Sequence, residues 1–509
     1  MKKLIQIMGL AVALVATPLP ALSQIEPGSF GYYQDALRYS QISPFGTARL
    51  QGLSGAGSVL GGNLGSGILN PAGLGMFNRS QFIISPSLRL QANDNSFLGE
   101  NSRNEETGLE LGSLGVAIHF GKDALTTEGW RGGTLAITYN RINNFDQRIT
   151  YGAQNNNSSI IDAMLNRADL FFPEELGGIE RVGFDHFLIN PVPGAEDLYV
   201  SFVEGFPFQQ ESITRSGQTD QVNIAFGGNF DDKLYLGAGI GVTNTDFLLS
   251  RIYSETFSGS ALNQFTIDER LDVSGTGINV NIGVIFRPIN AIRIGASFTS
   301  PTWHSFSEES DVIYTSDFNN YDVSTFLDNN GDRLITEDTV LNFQQSETPI
   351  FFSDYNLRTP ARFNLGAAFF IGKNGFITAD VEYLNYTNAF VSSVDFNANS
   401  DNQTIDNIYQ STTNLRLGGE FRYNIFRLRA GFASIGDPFN NDFDGIDRSR
   451  TIYSGGVGVN LGKYFLDFAY SQTNFEESFT SFNFLDGTGP TAAIDNSIGK
   501  ASVSFGINF

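Results

Sequence analysis

The sequence contains no cysteine among its 509 residues. Disulfides, thiol chemistry and thiolate metal sites are therefore excluded. Histidine is scarce as well, with only His119, His186 and His304. None of them belongs to a local pattern that combines a nucleophile, a histidine and a carboxylate, as hydrolases require. We therefore expect neither an enzyme nor a required cofactor.

Positively charged residues are also few. The chain has 31 Lys and Arg against 54 Asp and Glu, a net charge of −23. A basic surface for nucleic acid is thus excluded. After residue 23 the sequence contains no apolar run of about 20 residues, the length that a transmembrane helix needs.

The first 23 residues have the organisation of a secretory signal peptide. Lys2 and Lys3 precede an apolar run from Leu4 to Ala16, and small residues at Ala21-Leu22-Ser23 suit cleavage before Gln24. Without Lys2 and Lys3 the mature chain keeps 29 basic against 54 acidic residues, a balance of −25. The pattern predicts that residues 1–23 are removed during export.

The remaining sequence is rich in the residues of membrane β-barrels. Aromatic residues make up 13% of the chain and charged residues only 17%, and there are 55 glycines and 46 phenylalanines. Many segments alternate between apolar and small or polar residues. In Thr451–Leu461, for example, Tyr453, Val457 and Val459 share one face. Such alternation indicates strands with two different faces.

The alternation predicts fourteen strands, an even number that is typical of bacterial single-chain barrels. The connections between them are alternately short and long, as expected for periplasmic turns and extracellular loops. We therefore predict an all-β fold, a 14-stranded antiparallel transmembrane β-barrel spanning residues 80–509, with long extracellular loops at 93–107, 152–216, 308–359, 435–449 and 475–496. The predicted strands are 81–92, 108–120, 132–151, 217–230, 234–250, 266–287, 291–307, 360–371, 376–392, 407–423, 426–434, 450–461, 463–474 and 497–509.

Charged residues within the strands are predicted to face the lumen, because a charge on the lipid face costs roughly 2–4 kcal/mol at the bilayer midplane. Four of them, all arginines, lie on two neighbouring strands. They could bind the carboxylate of a ligand, or they could form cross-strand ion pairs that hold the wall together, which is the interpretation we prefer. These candidates are Arg416, Arg422, Arg427 and Arg429.

The third predicted strand interrupts its apolar face at Arg141, Asn143 and Gln147. One interpretation is a kink that opens the wall sideways. The interpretation we prefer is that the strand has already left the membrane and entered its loop.

A glycine-rich segment, Gly46–Phe77, immediately precedes the first strand. It carries too much glycine for an ordinary helix or strand, yet its regularly spaced apolar residues do not suit a solvated linker. Its tightest turn signal is Asn70-Pro71-Ala72-Gly73. A lumen lined by charges would conduct water unless it were filled, so we predict that residues 24–79 form a plug, the hatch, rather than a surface loop.

Gly46–Leu74, GTARLQGLSGAGSVLGGNLGSGILNPAGL, resembles the hatch of the FadL/OmpP1/TodX outer-membrane transporters, in the form found in Bacteroidetes-type bacteria. The resemblance implies a 14-stranded barrel that takes up long-chain fatty acids or aromatic hydrocarbons. It assigns Asn70, Pro71 and Ala72 to the hatch motif. Weaker matches are Arg358–Pro360, Asp380–Tyr386, Leu428–Pro438 and Tyr453–Val459.

The same resemblance implies a location in the outer membrane of a Gram-negative bacterium, in contact with lipid and lipopolysaccharide. The C-terminal Phe509 resembles the signal that the barrel-assembly machinery reads. We expect a monomer with a hydrophobic small-molecule ligand.

An alternative is a barrel of the same type that docks a protein for secretion or surface attachment. A simple porin is disfavoured because the hatch would block it, and a siderophore-type transporter because it needs about 22 strands.

One long loop contains a sequence that resembles an EF-hand or dockerin calcium loop. The pattern departs from the motif at Arg333 and Thr339, so a solvated acidic turn is the alternative. We expect Ca²⁺ to bind, if it does, through the side chains of Asp328, Asn330, Asp332 and Asp338 and the carbonyl of Leu334.

Overall fold

A computed structural model describes residues 31–121, 129–169, 171–327, 333–335, 339–440 and 444–509. The predicted signal peptide lies outside these ranges. The hatch, described from residue 31, contains three short helices and a 3-10 turn: α1 (Tyr32–Arg38), α2 (Ala48–Gln51), α3 (Ser66–Leu69) and Pro71–Met76.

Most of the remaining chain is antiparallel sheet. Its strands are β1 (Gln81–Phe97), β2 (Glu100–Gly121), β3 (Trp130–Asn144), β4 (Gln147–Gln154), β5 (Asn190–Val192), β6 (Ala195–Val200), β7 (Phe208–Phe230), β8 (Leu234–Thr256), β9 (Leu262–Ile289), β10 (Ile292–Thr299), β11 (Trp303–Asp322), β12 (Val340–Glu347), β13 (Phe351–Arg358), β14 (Arg362–Phe370), β15 (Gly375–Asn385), β16 (Phe390–Ser393), β17 (Ser411–Tyr423), β18 (Phe426–Ile435), β19 (Arg450–Asn460), β20 (Tyr464–Thr480) and β21 (Thr491–Asn508). The helices between them are α4 (Ile160–Ala168), α5 (Gly178–Asp185) and α6 (Asn399–Ile408).

Apart from β5 and β6, which form a separate two-stranded sheet, these strands close a barrel with fourteen staves, that is, fourteen strand segments side by side around the wall. This confirms the predicted fold class. The first and last strands pair from Gln81↔Asn508 to Phe97↔Ala492. Three staves consist of two strands each, β3 with β4, β10 with β11 and β15 with β16, and one consists of β12, β13 and β14, because the chain bends or is interrupted within them. Prolines mark two of these bends, Pro301 and Pro360, where a ladder hydrogen bond could not form anyway.

The outer face of the barrel is apolar over a continuous band. On β9, Ile278, Val280 and Ile282 are about half exposed, while the intervening Asn279 and Asn281 are buried towards the hatch. Comparable exposed apolar side chains occur on all fourteen staves, and such a band is the surface that a barrel presents to lipid. None of the helices in the described ranges is long and apolar enough to cross a membrane.

Several predicted loops are instead extensions of the strands above the apolar band. The prediction of a long loop at residues 93–107 is wrong. Strands β1 and β2 stay paired up to Phe97↔Glu100, and the chain turns at Leu98-Gly99. The strands also extend into 308–359 and 475–496. Polar residues such as Asn, Ser and Glu made these segments resemble loops. The same residues also suit a strand that lies above the bilayer, because there both of its faces can contact water.

The long loop 152–216 folds into a cap with its own core. Helices α4 and α5 pack on the upper parts of β8, β9 and β11 through buried apolar side chains such as Ile160, Met164 and Phe265. Ser159 begins α4 with a reciprocal capping box to Asp162. The cap explains how the barrel extends above the membrane without exposing the inner face of its strands.

Candidate functional site

The hatch turn that the sequence predicts at Asn70-Pro71-Ala72-Gly73 is held by the side chain of Asn70. Asn70 Oδ1 accepts a hydrogen bond from the backbone N–H of Ala72 at 3.1 Å, and Pro71 begins the 3-10 turn. Asn70 Nδ2 donates to the carbonyls of Val284 (3.4 Å) and Ala296 (3.3 Å) on the barrel wall. The side chain therefore shapes the turn and also ties it to β9 and β10.

Three wall glycines make room for this turn, and they lie in register on neighbouring strands. Gly227 pairs with Gly237, and Gly237 pairs with Gly283. A Cβ on Gly227 would lie 2.5 Å from the carbonyl oxygen of Pro71, and one on Gly237 or Gly283 would overlap Pro71 or Asn70. We call these three residues the glycine row. The glycine row is not among the sequence predictions, although glycine at inward positions of three successive strands is a signal that would reveal it.

The end of α3 is also bound to the wall. A helix end leaves carbonyl groups without partners inside the helix. Asn223 donates to the carbonyl of Gly67, Asn281 donates to the carbonyl of Ile68 at 3.0 Å, and Ser297 donates to the carbonyl of Leu69 at 2.7 Å. Wall side chains thus replace the water that would solvate these carbonyls.

Asp380 on β15 anchors a second part of the hatch. Its carboxylate accepts from the N–H groups of Gly57 and Ser58, both at 2.8 Å, and from Ser58 Oγ at 2.7 Å. Asp380 was predicted to face the lumen, and it does, with an exposure of only 3%. Its hatch partners could not be inferred from the sequence because they are more than 320 positions away.

Three of the four candidate arginines form ion pairs with wall carboxylates. Arg416 contacts Glu382 at 2.9 Å, while Arg422 and Arg429 contact Glu420 at 2.6 and 2.7 Å. Arg427 lies at the end of its strand, and its guanidinium donates to turn carbonyls. This arrangement agrees with the interpretation that we prefer, a ladder of ion pairs between strands. Of the four arginines, only Arg416 also lines the cavity described below.

The Glu420 ion pairs belong to a buried cluster that includes the hatch. Arg429 contacts Asp467 at 2.6 Å as well as Glu420, and Arg49 of α2 lies 3.5 Å from Glu420. The side chains of Glu420 and Arg429 are only 2% and 3% exposed. Every charge in the cluster therefore depends on the others to offset its loss of hydration.

Above the hatch the lumen contains a cavity of about 170 Å³. Part of its lining is apolar and includes Phe45, Ile68 and Ile142, which pack together as a small cluster. Charged side chains also line the cavity, and among them cations outnumber carboxylates, although Arg141 and Arg448 have ion-pair partners outside the lining. The cations are Arg89, Arg141, Arg362, Arg416, Arg448, Arg450 and Lys500, and the carboxylates are Glu110 and Glu382. The cavity is suited to a molecule with an apolar part and an anionic group.

The barrel wall is interrupted beside this cavity. Pairing between β2 and β3 ends at Ser113↔Asn140, whereas β1 and β2 stay paired for many residues above that level. The chain then bends inward, since β4 accepts hydrogen bonds from inward-facing side chains of β1 and β2. Asn93 donates to the carbonyl of Arg148, and Ser102 donates to that of Thr150, both at 2.7 Å.

The resulting opening, which we call the wall gap, separates β2 from β3 and lies level with apolar side chains of the outer face. Leu109, beside it on β2, is 84% exposed. Across the gap, Asn144 Nδ2 donates to Glu110 Oε2 at 3.2 Å, and both residues line the cavity. The interruption in the third strand is thus a kink, and beyond it the chain continues as a strand, because β4 pairs with β7. The interpretation that we preferred is wrong in placing a loop here, and departure of the strand from the membrane stays a prediction.

Helix α1 covers the extracellular side of the lumen. Tyr32 Oη donates to Glu308 Oε1 at 3.1 Å on β11, and the Tyr355 hydroxyl donates to Asp35 at 2.6 Å. Burial, followed by the neighbouring Asp35 carboxylate, raises the pKa of Glu308 to about 8. Glu308 lies above the apolar band, five residues beyond the exposed Trp303.

This shift predicts that α1 loosens as the pH rises. The ordinary pKa of glutamate is 4.5, so between that value and about 8 the folded protein binds more protons than the unfolded chain. The contribution of Glu308 to stability is complete below pH 4.5 and is lost as the pH rises through 8. Hydrogen exchange of residues 32–38, corrected for intrinsic rates, should accelerate across this range. Glu308→Gln should flatten the response, and an equally steep response in that variant would contradict the assignment.

The structure describes one of the five predicted calcium ligands. Asp328, Asn330, Asp332 and Asp338 lie outside the described residues, and Leu334 is the only described member. Among the residues that the structure describes, no group of three or more His, Asp or Glu side chains is arranged to hold a metal ion. Binding of Ca²⁺ stays a prediction, which calorimetry with CaCl₂ would test.

No protein-family model matches the sequence, and no curated protein matches it either. Solved structures do match. The toluene transporter TodX of P. putida and a FadL homologue of Pseudomonas aeruginosa each share 13% identity with this chain, with a TM-score of 0.52 over 92% of this chain and 99% of theirs. The toluene transporter TbuX of Ralstonia pickettii shares 14% identity, with a TM-score of 0.50 over 92% and 99%. The closed barrel, its hatch and these similarities together establish that the chain has the fold of the FadL and TodX transporters.

Proposed function

We propose that this protein carries hydrophobic small molecules across the outer membrane of a Gram-negative bacterium. The apolar band supports insertion into a bilayer. The hatch, bound to the wall on several sides, supports selective passage rather than free diffusion. The transport activity named for TodX and TbuX agrees with this proposal, although it was described for those proteins.

One observation carries the proposal, namely that the wall gap lies beside the cavity above the hatch. Glu110 and Asn144 border both of them. A molecule in the cavity could therefore leave sideways into the hydrocarbon layer, along the exposed Leu109, without crossing the hatch. A hydrophobic molecule gains roughly 0.8 kcal/mol per buried CH₂ group by this route.

The charges of the cavity favour fatty acids over neutral aromatic hydrocarbons. Arg362 and Arg416 share one carboxylate, Glu382, at 3.5 and 2.9 Å. Arg450 also faces the cavity, and its guanidinium contacts Gln41 and the ring of Phe475. An anionic head group would add a second negative charge beside these cations, whereas a neutral ring such as toluene would add none.

The experiment compares uptake by cells of a Gram-negative strain that lacks its own fatty-acid transporter. We expect this protein to restore saturable uptake of radiolabelled oleate, with weaker uptake of toluene. Insertion is verified by the heat-dependent shift of folded barrels on gels. If the inserted protein leaves oleate and toluene uptake at the level of the empty strain, transport of hydrophobic molecules is ruled out for these classes.

The wall gap can be tested with a cross-linker, because the natural chain has no cysteine to interfere. In the double variant Glu110→Cys with Asn144→Cys, a short bis-maleimide should close the gap and abolish uptake. The control is Ser478→Cys with Ala493→Cys, a pair within the continuous β20–β21 ladder. Equal uptake by both cross-linked variants would show that the route does not pass between β2 and β3.

A further prediction concerns Asn70→Ala. The variant loses one turn hydrogen bond and two wall hydrogen bonds, each worth about 1 kcal/mol. Since Ile68 and Leu69 line the cavity just before this turn, we expect uptake to fall by roughly tenfold or more, while barrel insertion is unchanged. Asn424→Ala, in an exposed turn at the end of β17, serves as the control. Full uptake by Asn70→Ala would remove the hatch turn from the mechanism.

A further inference from the structure

Above the apolar band, one side of the extended sheet ends in a long strand with an open edge. Strands β12 and β13 follow each other and pair along β11, from Asp322↔Val340 to Trp303↔Arg358. On their other side, β16 covers only Tyr355–Arg358. Within the described residues, no strand pairs with that side of residues 340–353, which we call the open edge.

An open edge carries backbone N–H and C=O groups that another strand can pair with. Proteins usually block such edges with lysine, with proline or with a covering loop. The open edge contains no Lys or Arg, and its single proline, Pro349, lies between the two strands rather than within them. The backbone of this edge is covered from Asp354 onwards, where the Asp354 N–H donates to the Asp395 carboxylate at 2.8 Å.

The open edge also exposes large apolar side chains. Phe343, Ile350 and Phe351 are each at least half exposed, and Phe352 is 71% exposed. They do not face the hydrocarbon of the bilayer, because Phe352 lies six residues above Arg358, which pairs with Trp303. At about 3.3 Å per residue this is roughly 20 Å along the strand. The exposed aromatic residues therefore face the outside of the cell.

The surroundings of these side chains are strongly acidic. Phe352 pairs with Glu309, and Phe343 pairs with Asp317. Apart from Glu308, which contacts α1, strands β11, β12 and β13 carry six Asp and Glu residues and one arginine, Arg358. A second copy of this chain would bring the same negative charge against itself, whereas a segment with Lys or Arg would be attracted.

We propose that the open edge binds an extended, basic segment of another protein, which adds a strand next to β12 and the first half of β13. Backbone hydrogen bonds supply the pairing, the phenylalanines contact alternate side chains of the added strand, and the acidic surroundings select Lys and Arg. This function is independent of transport, because the open edge contributes no residue to the cavity above the hatch.

The test uses the full-length protein in detergent micelles and three synthetic peptides of about ten residues. The first alternates Lys and Val, the second alternates Glu and Val, and the third is the first with two central Pro residues. We expect the Lys–Val peptide to bind at least about tenfold more tightly than either of the others. It should also slow hydrogen exchange in residues 340–353. Equal binding of the Pro peptide would mean that charge alone attracts it, which would overturn strand addition.

Two variants test whether the Lys–Val peptide binds at the open edge. Phe343→Lys together with Phe352→Lys should weaken the Lys–Val peptide by about tenfold, since it places positive charge on the open edge. Leu198→Lys, an exposed position in the cap, is the matched control, and heat-dependent gel shifts confirm that both variants remain folded. Unchanged binding by the double variant would overturn the proposal. So would protection of residues 340–353 by dimer formation without peptide, because the occupant would then be a second copy.

Discussion

Replacing Gly237 with valine is expected to displace the hatch while the barrel still inserts and closes. A Cβ at this position would overlap the backbone of Pro71, and Gly237 lies between Gly227 and Gly283 in the glycine row. The overlap is with backbone, so no side chain can rotate away to relieve it. Overpacking of this kind costs about 1–3 kcal/mol, which would raise the fraction of barrels with a displaced hatch about 5- to 150-fold.

The measurement is ion conductance in planar bilayers, together with entry of a large antibiotic into cells. The matched control is Ala238→Val, the next residue on the same strand, whose side chain faces outward and is exposed. It adds a similar volume without approaching the hatch. If Gly237→Val conducts no better than Ala238→Val, close packing of the hatch turn on the glycine row does not keep the lumen closed.

Of the substitutions named here, Arg429→Met is expected to cause the largest loss in the free energy of unfolding. The guanidinium contacts Glu420 and Asp467, and the arginine side chain is 3% exposed. Methionine would retain much of the aliphatic volume and leave two buried carboxylates with less positive charge. Removing one partner of a buried ion pair costs about 3–5 kcal/mol. The free energy of unfolding, measured by urea titration of the protein in lipid vesicles, should fall by this amount.

Arg427→Met, two residues away, is the control for this substitution. Its guanidinium donates to carbonyls of the adjoining turn and is partly exposed, so we expect a change below about 1 kcal/mol. Glu420→Gln combined with Arg429→Met should recover part of the lost stability, because one buried negative charge is then removed. A loss below 1 kcal/mol in Arg429→Met alone would show that the cluster is hydrated.

Much of the barrel was accessible to prediction because a membrane imposes a strict rule on each strand. Side chains such as Val280 and Ile282 must face lipid, so apolar residues recur at every second position and identify the staves one by one. The rule ends where the bilayer ends, which is why the sequence predicts a loop at residues 93–107, although these residues form a paired hairpin. The hatch turn was also predictable, since Asn70 satisfies its own turn through a local hydrogen bond.

The sequence by itself determined the fourteen staves, the orientation of the charged side chains towards the lumen and the position of the hatch turn, and it predicts an export signal. All of these follow from local periodicity or from residues close together in the chain. Only the tertiary structure decided that Asp380 binds Gly57 and Ser58, that the glycine row receives Pro71, and that β3 bends inward to open the wall. These features join residues tens to hundreds of positions apart, and closure of the barrel sets which of them meet.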